Sequence, residues 1–252
     1  MEGGKYQNLA PPPVDQMTGN ALLAKLRDDD QRRLSAHMSA LELKAGHILQ
    51  RAGEDVTHTW FPCGASLAAF RIWVDDINKG IEVALVGREG AIGGIVSNGS
   101  LPAYATSEVL TSGRFLRIKT SALEHAKLQS VALRHWFSRY SDCLLAQVFQ
   151  TAACNAGHTI TQRTAKWLLA AVSRTSGTEF EMTHEQLADM LGVGRTFVTR
   201  IVRHLRTEGL IATRRGRFIV IDEAGLRARS CGCTTAIQDH FETVLHGIYP
   251  IE

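Results

Sequence analysis

MTHEQLADMLGVGRTFVTRIVRHLRTEGLIATRRGRFIV spans Met182–Val220 and predicts a helix, a tight turn, a second helix and a short hairpin. Thr183 opens the first helix, because its hydroxyl can accept an orphan backbone N–H while Gln186 reaches back, the reciprocal arrangement of a capping box. Leu187, Ala188 and Leu191 then share one face, and the small Ala188 lets a second helix approach. Gly192 ends the helix, since glycine tolerates the left-handed conformation that stops one. A new helix begins at Arg195, with Val198, Ile201, Val202 and Leu205 at the spacing of a buried stripe. Its other face carries Arg195, Thr196, Thr199, Arg200 and Arg203, with no acid among them.

Two helices joined by a glycine-containing turn, the second cationic outside, match the helix-turn-helix that lays a recognition helix in the DNA major groove. Arginine suits base reading there because its planar fork takes guanine O6 and N7 together. Downstream, Leu210-Ile211 and Phe218–Ile221 flank the basic turn Thr213–Arg217, a wing whose Arg214, Arg215 and Arg217 face phosphate. Between Arg195 and Arg217 stand seven arginines against one acid, Glu208, whereas the whole chain carries a net charge of only +3. This local excess points to nucleic acid as a partner.

The 252 residues, 44% of them hydrophobic, suffice for a sizeable core and for two domains. No run of eighteen apolar residues occurs, and MEGGKYQNLAPPPVDQ lacks the pattern of a signal peptide, so no membrane partner and a cytoplasmic location are expected. Five irregularly spaced cysteines make no disulfide framework.

Residues 1–18, with prolines at 11–13, predict a flexible arm. Asn20–Leu34 predicts a helix. From Leu41 to Ile118, short runs punctuated by glycine predict an antiparallel sandwich or barrel, with a hairpin tip at Asp75–Gly80. Ser121–His125 starts a helical turn, and Leu133 to about Ala156 forms a long helix. Within it Leu133, Phe137, Tyr140, Leu144 and Val148 recur at alternating steps of four and three, a seam that pairs with the same helix in a second copy or packs on the chain's own barrel. Gly157-His158 marks a hinge before a helix over Ile160–Ser173. An amphipathic stretch, Ile237–Leu245, follows Cys231-Gly232-Cys233.

A small barrel, a long dimerising helix and a C-terminal winged helix-turn-helix, in this order over roughly residues 20–225, resemble the Crp/Fnr superfamily of bacterial transcription regulators. The resemblance rests on Thr183, Leu187, Ala188, Gly192, Arg195, Val198, Arg200, Ile201, Leu205 and Leu210-Ile211. The run Gln162–Leu169, the Arg215-Gly216 wing and the C-x-C near the end also resemble one branch of it. The resemblance implies an α+β chain divided into an arm (1–18), a cyclic-nucleotide-binding-like β-roll (19–130), a dimerisation helix (131–157), a winged helix-turn-helix (158–225) and a tail helix (226–252). It implies a homodimeric DNA-binding regulator on a palindromic operator, with double-stranded DNA and RNA polymerase as partners. Arg195, Thr196, Thr199 and Arg200 would read bases; Thr183, His184, Arg203, Arg214, Arg215 and Arg217 would hold phosphates. Where the family usually places an acid between the two reading arginines, this chain has Thr196, which predicts an altered half-site at that base pair.

Crp-type members bind a cyclic nucleotide through a Gly-Glu pair and an arginine about ten residues later. Gly87, Glu89 and Gly90 persist here, but no cation lies between Arg88 and Arg114. A buried phosphate without a paired cation costs several kcal/mol, so an unidentified effector is expected beside Arg88, Glu89, Gly90, Ala103 and Tyr104. The cysteine group of Fnr-type members is missing, as no cysteine precedes Cys63. His47 and His58 are lone histidines and do not by themselves indicate haem. Cys154 and His158, at i and i+4, make half of a metal site with no second pair to complete it in the sequence, so neither metal nor cofactor is expected. Cys231 and Cys233 would report redox state only if exposed with a lowered pKa. No nucleophile elbow, P-loop, paired metal motif or dinucleotide fingerprint appears, and an enzyme is not expected.

Overall fold

The structure is a computed structural model that describes residues 14–77, 79–95, 101–175 and 177–246. The expected arm up to residue 13, residues 98–100 of the glycine-rich segment and the tail beyond 246 lie outside the described residues. Residues 14–18 are not part of an arm, because a 3-10 turn at Val14–Gly19 drives Met17 fully into the core.

The single helix expected over Asn20–Leu34 is two, α1 (Ala21–Ala24) and α2 (Asp28–Ser35). Asn20 caps α1 by accepting from Leu23 N, and its amide donates to Pro62 O at 2.8 Å and Gly90 O at 2.9 Å, which ties the helix start to the barrel. Arg27 is extended (φ −63, ψ 151) and interrupts the helix; α2 restarts on three aspartates that suit the positive end of its dipole.

The barrel is a roll of two antiparallel sheets. Its strands are β1 (Met38–Leu43), β2 (Ile48–Gln50), β3 (His58–Pro62), β4 (Leu67–Val74), β5 (Lys79–Val86), β6 (Thr106–Thr111) and β7 (Gly113–Lys119). The sheets run β1-β7-β3 and β2-β6-β4-β5. Leu41, Leu43, Leu49, Trp60, Val86, Val109 and Phe115 fill part of the space between them. β1 and β6 were not separately legible, since Glu42 and Glu108 interrupt their apolar residues.

Helix α3 (Thr120–Gln129) leads to α4 (Val131–Gly157), whose first turn is capped by Ser130 Oγ accepting from Leu133 N. The long helix is as expected, but the stripe expected to pair with a second copy packs largely within the chain. Leu133, Phe137 and Tyr140 are 0%, 0% and 1% exposed within the chain itself, packed against Phe61, Ala91 and Leu116 of the roll. Tyr140 Oη accepts from Ala91 N at 2.8 Å and donates to Ala91 O at 2.9 Å. Leu144 packs partly on the roll core and Val148 is half-buried. The roll already covers Leu133, Phe137 and Tyr140 and part of Leu144, so these residues are not a free seam.

After α5 (Ile160–Thr175) come β8 (Glu179–Glu181), α6 (His184–Leu191), α7 (Arg195–Thr207), β9 (Ile211–Arg214) and β10 (Arg217–Val220), the strands pairing in the order β8-β10-β9. Two further helices close the described chain, α8 (Glu223–Arg229) and α9 (Cys233–Val244). α9 runs back along α4: Phe241 meets Tyr140 edge-on at 6.3 Å, and Arg139 donates to Val244 O.

Roll and helix-turn-helix share one apolar core, in which Leu67, Ala69, Leu85 and Leu110 pack with α5, α6 and α7. At the hairpin tip, Lys79 Nζ binds Asp189 Oδ1 at 3.0 Å and Val193 O at 2.9 Å. β5 thus holds the turn between α6 and α7 directly.

Candidate nucleic-acid interface and sensor cleft

The capping box forms as expected: Thr183 Oγ1 accepts from Gln186 N at 3.1 Å, and Gln186 Oε1 accepts from Thr183 N at 2.8 Å. Gly192 ends α6 in the left-handed region at φ 68, and a Cβ there would sit 3.1 Å from Ile81 Cδ1 of β5. Glycine therefore serves both the turn and the close approach.

α7 buries Val198, Ile201, Val202 and Leu205 and leaves Arg195, Thr196, Arg200 and Arg203 exposed. Thr199 is half-buried, its hydroxyl 3.2 Å from His184 Nδ1. The His184 ring also rests on Phe218 of the wing. Burial, then Arg195 and Arg206, hold the His184 pKa below the usual imidazole value. Arg195 lies 3.5 Å from Glu185 across an exposed pair.

β9 and β10 are joined by the two residues Arg215 (φ 37) and Gly216 (φ 78), both left-handed. This is the geometry of a tight primed hairpin turn, and it holds Arg215, a non-glycine residue, in a costly conformation at the wing tip. Arg214 and Arg215 are exposed. Arg217 differs from the expectation: its guanidinium donates to Glu179 at 2.9 Å and Glu181 at 2.8 Å of β8, so two acids already neutralise it. Between α6, α7 and the wing lies a cleft of about 500 Å³, lined by Thr183, His184, Arg195, Thr213 and Arg215 among others.

The expected effector residues do not come together. Arg88 and Glu89 line a cleft of about 240 Å³ with Lys25, Arg174, Ile237 and Phe241, roofed by α9. Gly90 packs tightly beneath the Tyr140 hydroxyl. Ala103 pairs with the loop after β2, its N–H donating to Glu54 O and its carbonyl accepting from Gly53 N, and Tyr104 is 88% exposed. Neither lines the cleft, because the segment carrying them folds onto that loop.

The cation absent from the local sequence arrives from α5. Arg174 Nε donates to Glu89 Oε1 at 2.8 Å, and its other nitrogens reach Ala170 O and Gln147 Oε1, each at 3.3 Å. Glu89 Oε2 is buried without a partner among the described residues. No spacing rule points to Arg174, eighty-five residues after Glu89.

A second long-range assembly lies at the far end of α4, where Cys231 and Cys233 meet Cys154 and His158. The pair the sequence leaves incomplete is completed by the tail.

Comparison with known proteins agrees with this architecture. Residues 162–229 match the Crp-like helix-turn-helix domain model. Among solved structures, FixK2 from Bradyrhizobium japonicum superposes with a TM-score of 0.65 at 15% identity, covering 77% of this chain and 98% of that one. A CRP-family transcriptional regulator from Thermus thermophilus, TTHB099, gives 0.62 at 22% identity, with 75% and 96% covered. CLP of Xanthomonas campestris, described as c-di-GMP responsive, gives 0.61 at 15% identity, with 77% and 99% covered. No curated protein sequence matches the chain. At these identities the likeness to solved structures speaks to the fold, and the domain model speaks to its C-terminal third. Residues 162–229 are thus a Crp-like helix-turn-helix domain, and the chain as a whole, β-roll and long helix included, has the fold of these solved structures.

Proposed function

We propose that the protein is a sequence-specific DNA-binding transcription regulator that works as a homodimer on a palindromic operator. The reading rests on the exposed face of α7, where Arg195, Thr196, Arg200 and Arg203 stand beside the exposed wing arginines Arg214 and Arg215. α7 enters the major groove; Arg195, Thr196, Thr199 and Arg200 read bases, and Thr183, His184, Arg203, Arg214 and Arg215 hold backbone. Thr196, which bonds several bases or meets a thymine methyl, relaxes discrimination at its base pair.

The partner for dimerisation is a second α4. Val131, His135, Ser138, Asp142, Leu145, Phe149, Ala152 and Ala156 are all exposed and alternate in steps of four and three. Leu145 at 50% and Phe149 at 65% exposure are the apolar centre of this seam. The two recognition helices then address half-sites about 34 Å apart. RNA polymerase is the partner that reads the bound dimer.

An effector enters the cleft beside Glu89 and Arg174 and acts by shifting the population between two settings of α5 against α4. A nucleotide is the class to try first, as one structural relative is c-di-GMP responsive.

Fluorescence anisotropy on an operator selected from a random library, against scrambled duplex at moderate salt, tests the reading. A preference of about 10³-fold or more is expected; equal binding to both duplexes overturns it.

A further inference from the structure

We propose that Cys154, His158, Cys231 and Cys233 bind one zinc ion, which clamps the C-terminal tail onto the junction of α4 and α5. Cys154 lies in the last turn of α4 and His158 is its C-cap, so four residues of helical spacing set both on one side. Cys231 sits in the short link between α8 and α9, and Cys233 is the first residue of α9. The four donor atoms, three Sγ and one imidazole nitrogen, all lie within 4.8 Å of one another.

Two of the separations match the edges of a zinc tetrahedron. With Zn–S of about 2.3 Å and Zn–N of about 2.0–2.1 Å, the S···S edge is about 3.8 Å and the S···N edge about 3.5–3.6 Å. Cys154 Sγ is 3.7 Å from Cys231 Sγ, and Cys233 Sγ is 3.6 Å from His158 Nδ1. A disulfide requires about 2.05 Å, and the three cysteines are all free thiols. An iron–sulfur cluster divides its protein ligands among two or four irons and so spreads the set further apart than one ion does. Three thiolates and an imidazole with no open position are the donor set of a closed, structural zinc site.

The surroundings fit an ion as well as the ligands do. Cys154 and Cys233 are buried, and Cys231 and His158 are half-buried. Gln150 Nε2 donates to Cys233 Sγ at 3.2 Å, the outer hydrogen bond that orients a ligating sulfur. Lys166 and Arg163 of α5 lie close enough to act electrostatically on Cys154, and they offset the single negative charge of Zn²⁺ with three thiolates. Binding releases three thiol protons to solvent, and His158 joins through its Nδ1 lone pair; nothing is oxidised or reduced.

The position gives the ion a structural consequence. It ties the start of α9 to the hinge at Gly157-His158, and α9 roofs the Glu89 cleft at its other end. Metal occupancy therefore fixes the joint through which the roll and the DNA-binding part are connected.

The test uses the full chain without a metal-affinity tag, purified under reducing conditions. Mass-spectrometric metal analysis is expected to find about one zinc per chain. After chelation, Co²⁺ titration of the wild-type chain is expected to give tetrahedral d–d bands with sulfur-to-cobalt charge transfer. Cys231→Ser and Cys233→Ser are expected to lose both the zinc and the bands, with circular dichroism reporting whether each still folds, while Cys63→Ser in the roll core retains both. Less than about a tenth of an equivalent of zinc together with no cobalt bands, a brown iron-bearing chromophore, or full zinc in the Cys231→Ser/Cys233→Ser double variant would each overturn the proposal.

Discussion

Glu89 in the turn after β5 and Arg174 near the end of α5 form a charge pair at 2.8 Å that joins the roll to the helix leading into the helix-turn-helix. Arg174 is 9% and Glu89 28% exposed in their side chains. Removing the acid leaves a nearly buried guanidinium with only the neutral acceptors Ala170 O and Gln147 Oε1. Glu89→Ala is expected to lower stability by about 1–3 kcal/mol, and Glu89→Gln, which keeps a neutral acceptor, by less. Urea unfolding midpoints check this; an Ala variant as stable as the native chain would mean that water replaces the pair.

Arginines of the interface are not equivalent. Arg200→Ala is expected to cost about 1–3 kcal/mol on the selected operator and far less on scrambled DNA. Arg215→Ala is expected to weaken both duplexes alike and to reduce the salt slope by about 1. Arg217→Ala should change DNA affinity less than Arg215→Ala does, because Glu179 and Glu181 already hold its charge. Anisotropy titrations over a salt series separate the three.

The two faces of α4 respond to different measurements. Leu133→Ala, inside the chain's own core, is expected to cost about 2–5 kcal/mol of stability. Phe149→Glu, on the exposed seam, is expected to convert dimer to monomer with little loss of monomer fold. Sedimentation equilibrium with thermal unfolding reads both; a dimeric Phe149→Glu chain would place the partner contact elsewhere.

His184 supplies a pH dependence. Its folded pKa lies below the unfolded value of about 6.5, so between these two values the unfolded chain binds more protons and stability rises with pH. The corresponding stability falls as pH drops below about 6.5. His184→Gln is expected to flatten that part of the profile relative to the native chain. Proton uptake on DNA binding, measured in two buffers, should fall in the same variant if the ring meets phosphate.

Thr183→Ala removes the Oγ1 that satisfies Gln186 N. A loss of about 1 kcal/mol is expected, and Thr183→Ser should recover most of it.

Helix starts, stops and apolar stripes in Met182–Val220 were legible because each depends on residues within a turn or two: Thr183 with Gln186, Gly192 with its own backbone, Val198 with Ile201, Val202 and Leu205. The wing hairpin was legible for the same reason, through Arg215-Gly216. On α4 local periodicity named an apolar stripe but not its partner. The helix carries two candidate faces, and only the position of the roll decides that Leu133, Phe137 and Tyr140 are covered within the chain while Leu145 and Phe149 are left outside.

The amino-acid order alone determined most of the elements, their sequence and the cationic face of α7, since these follow from short-range hydrogen bonding and side-chain spacing. Tertiary structure alone decided that Arg174 reaches Glu89, that Arg217 is held by Glu179 and Glu181, and that Cys231 and Cys233 close on Cys154 and His158. Such meetings are set by the path of the chain over 36 to 85 residues, where spacing carries no information about which side chains arrive together.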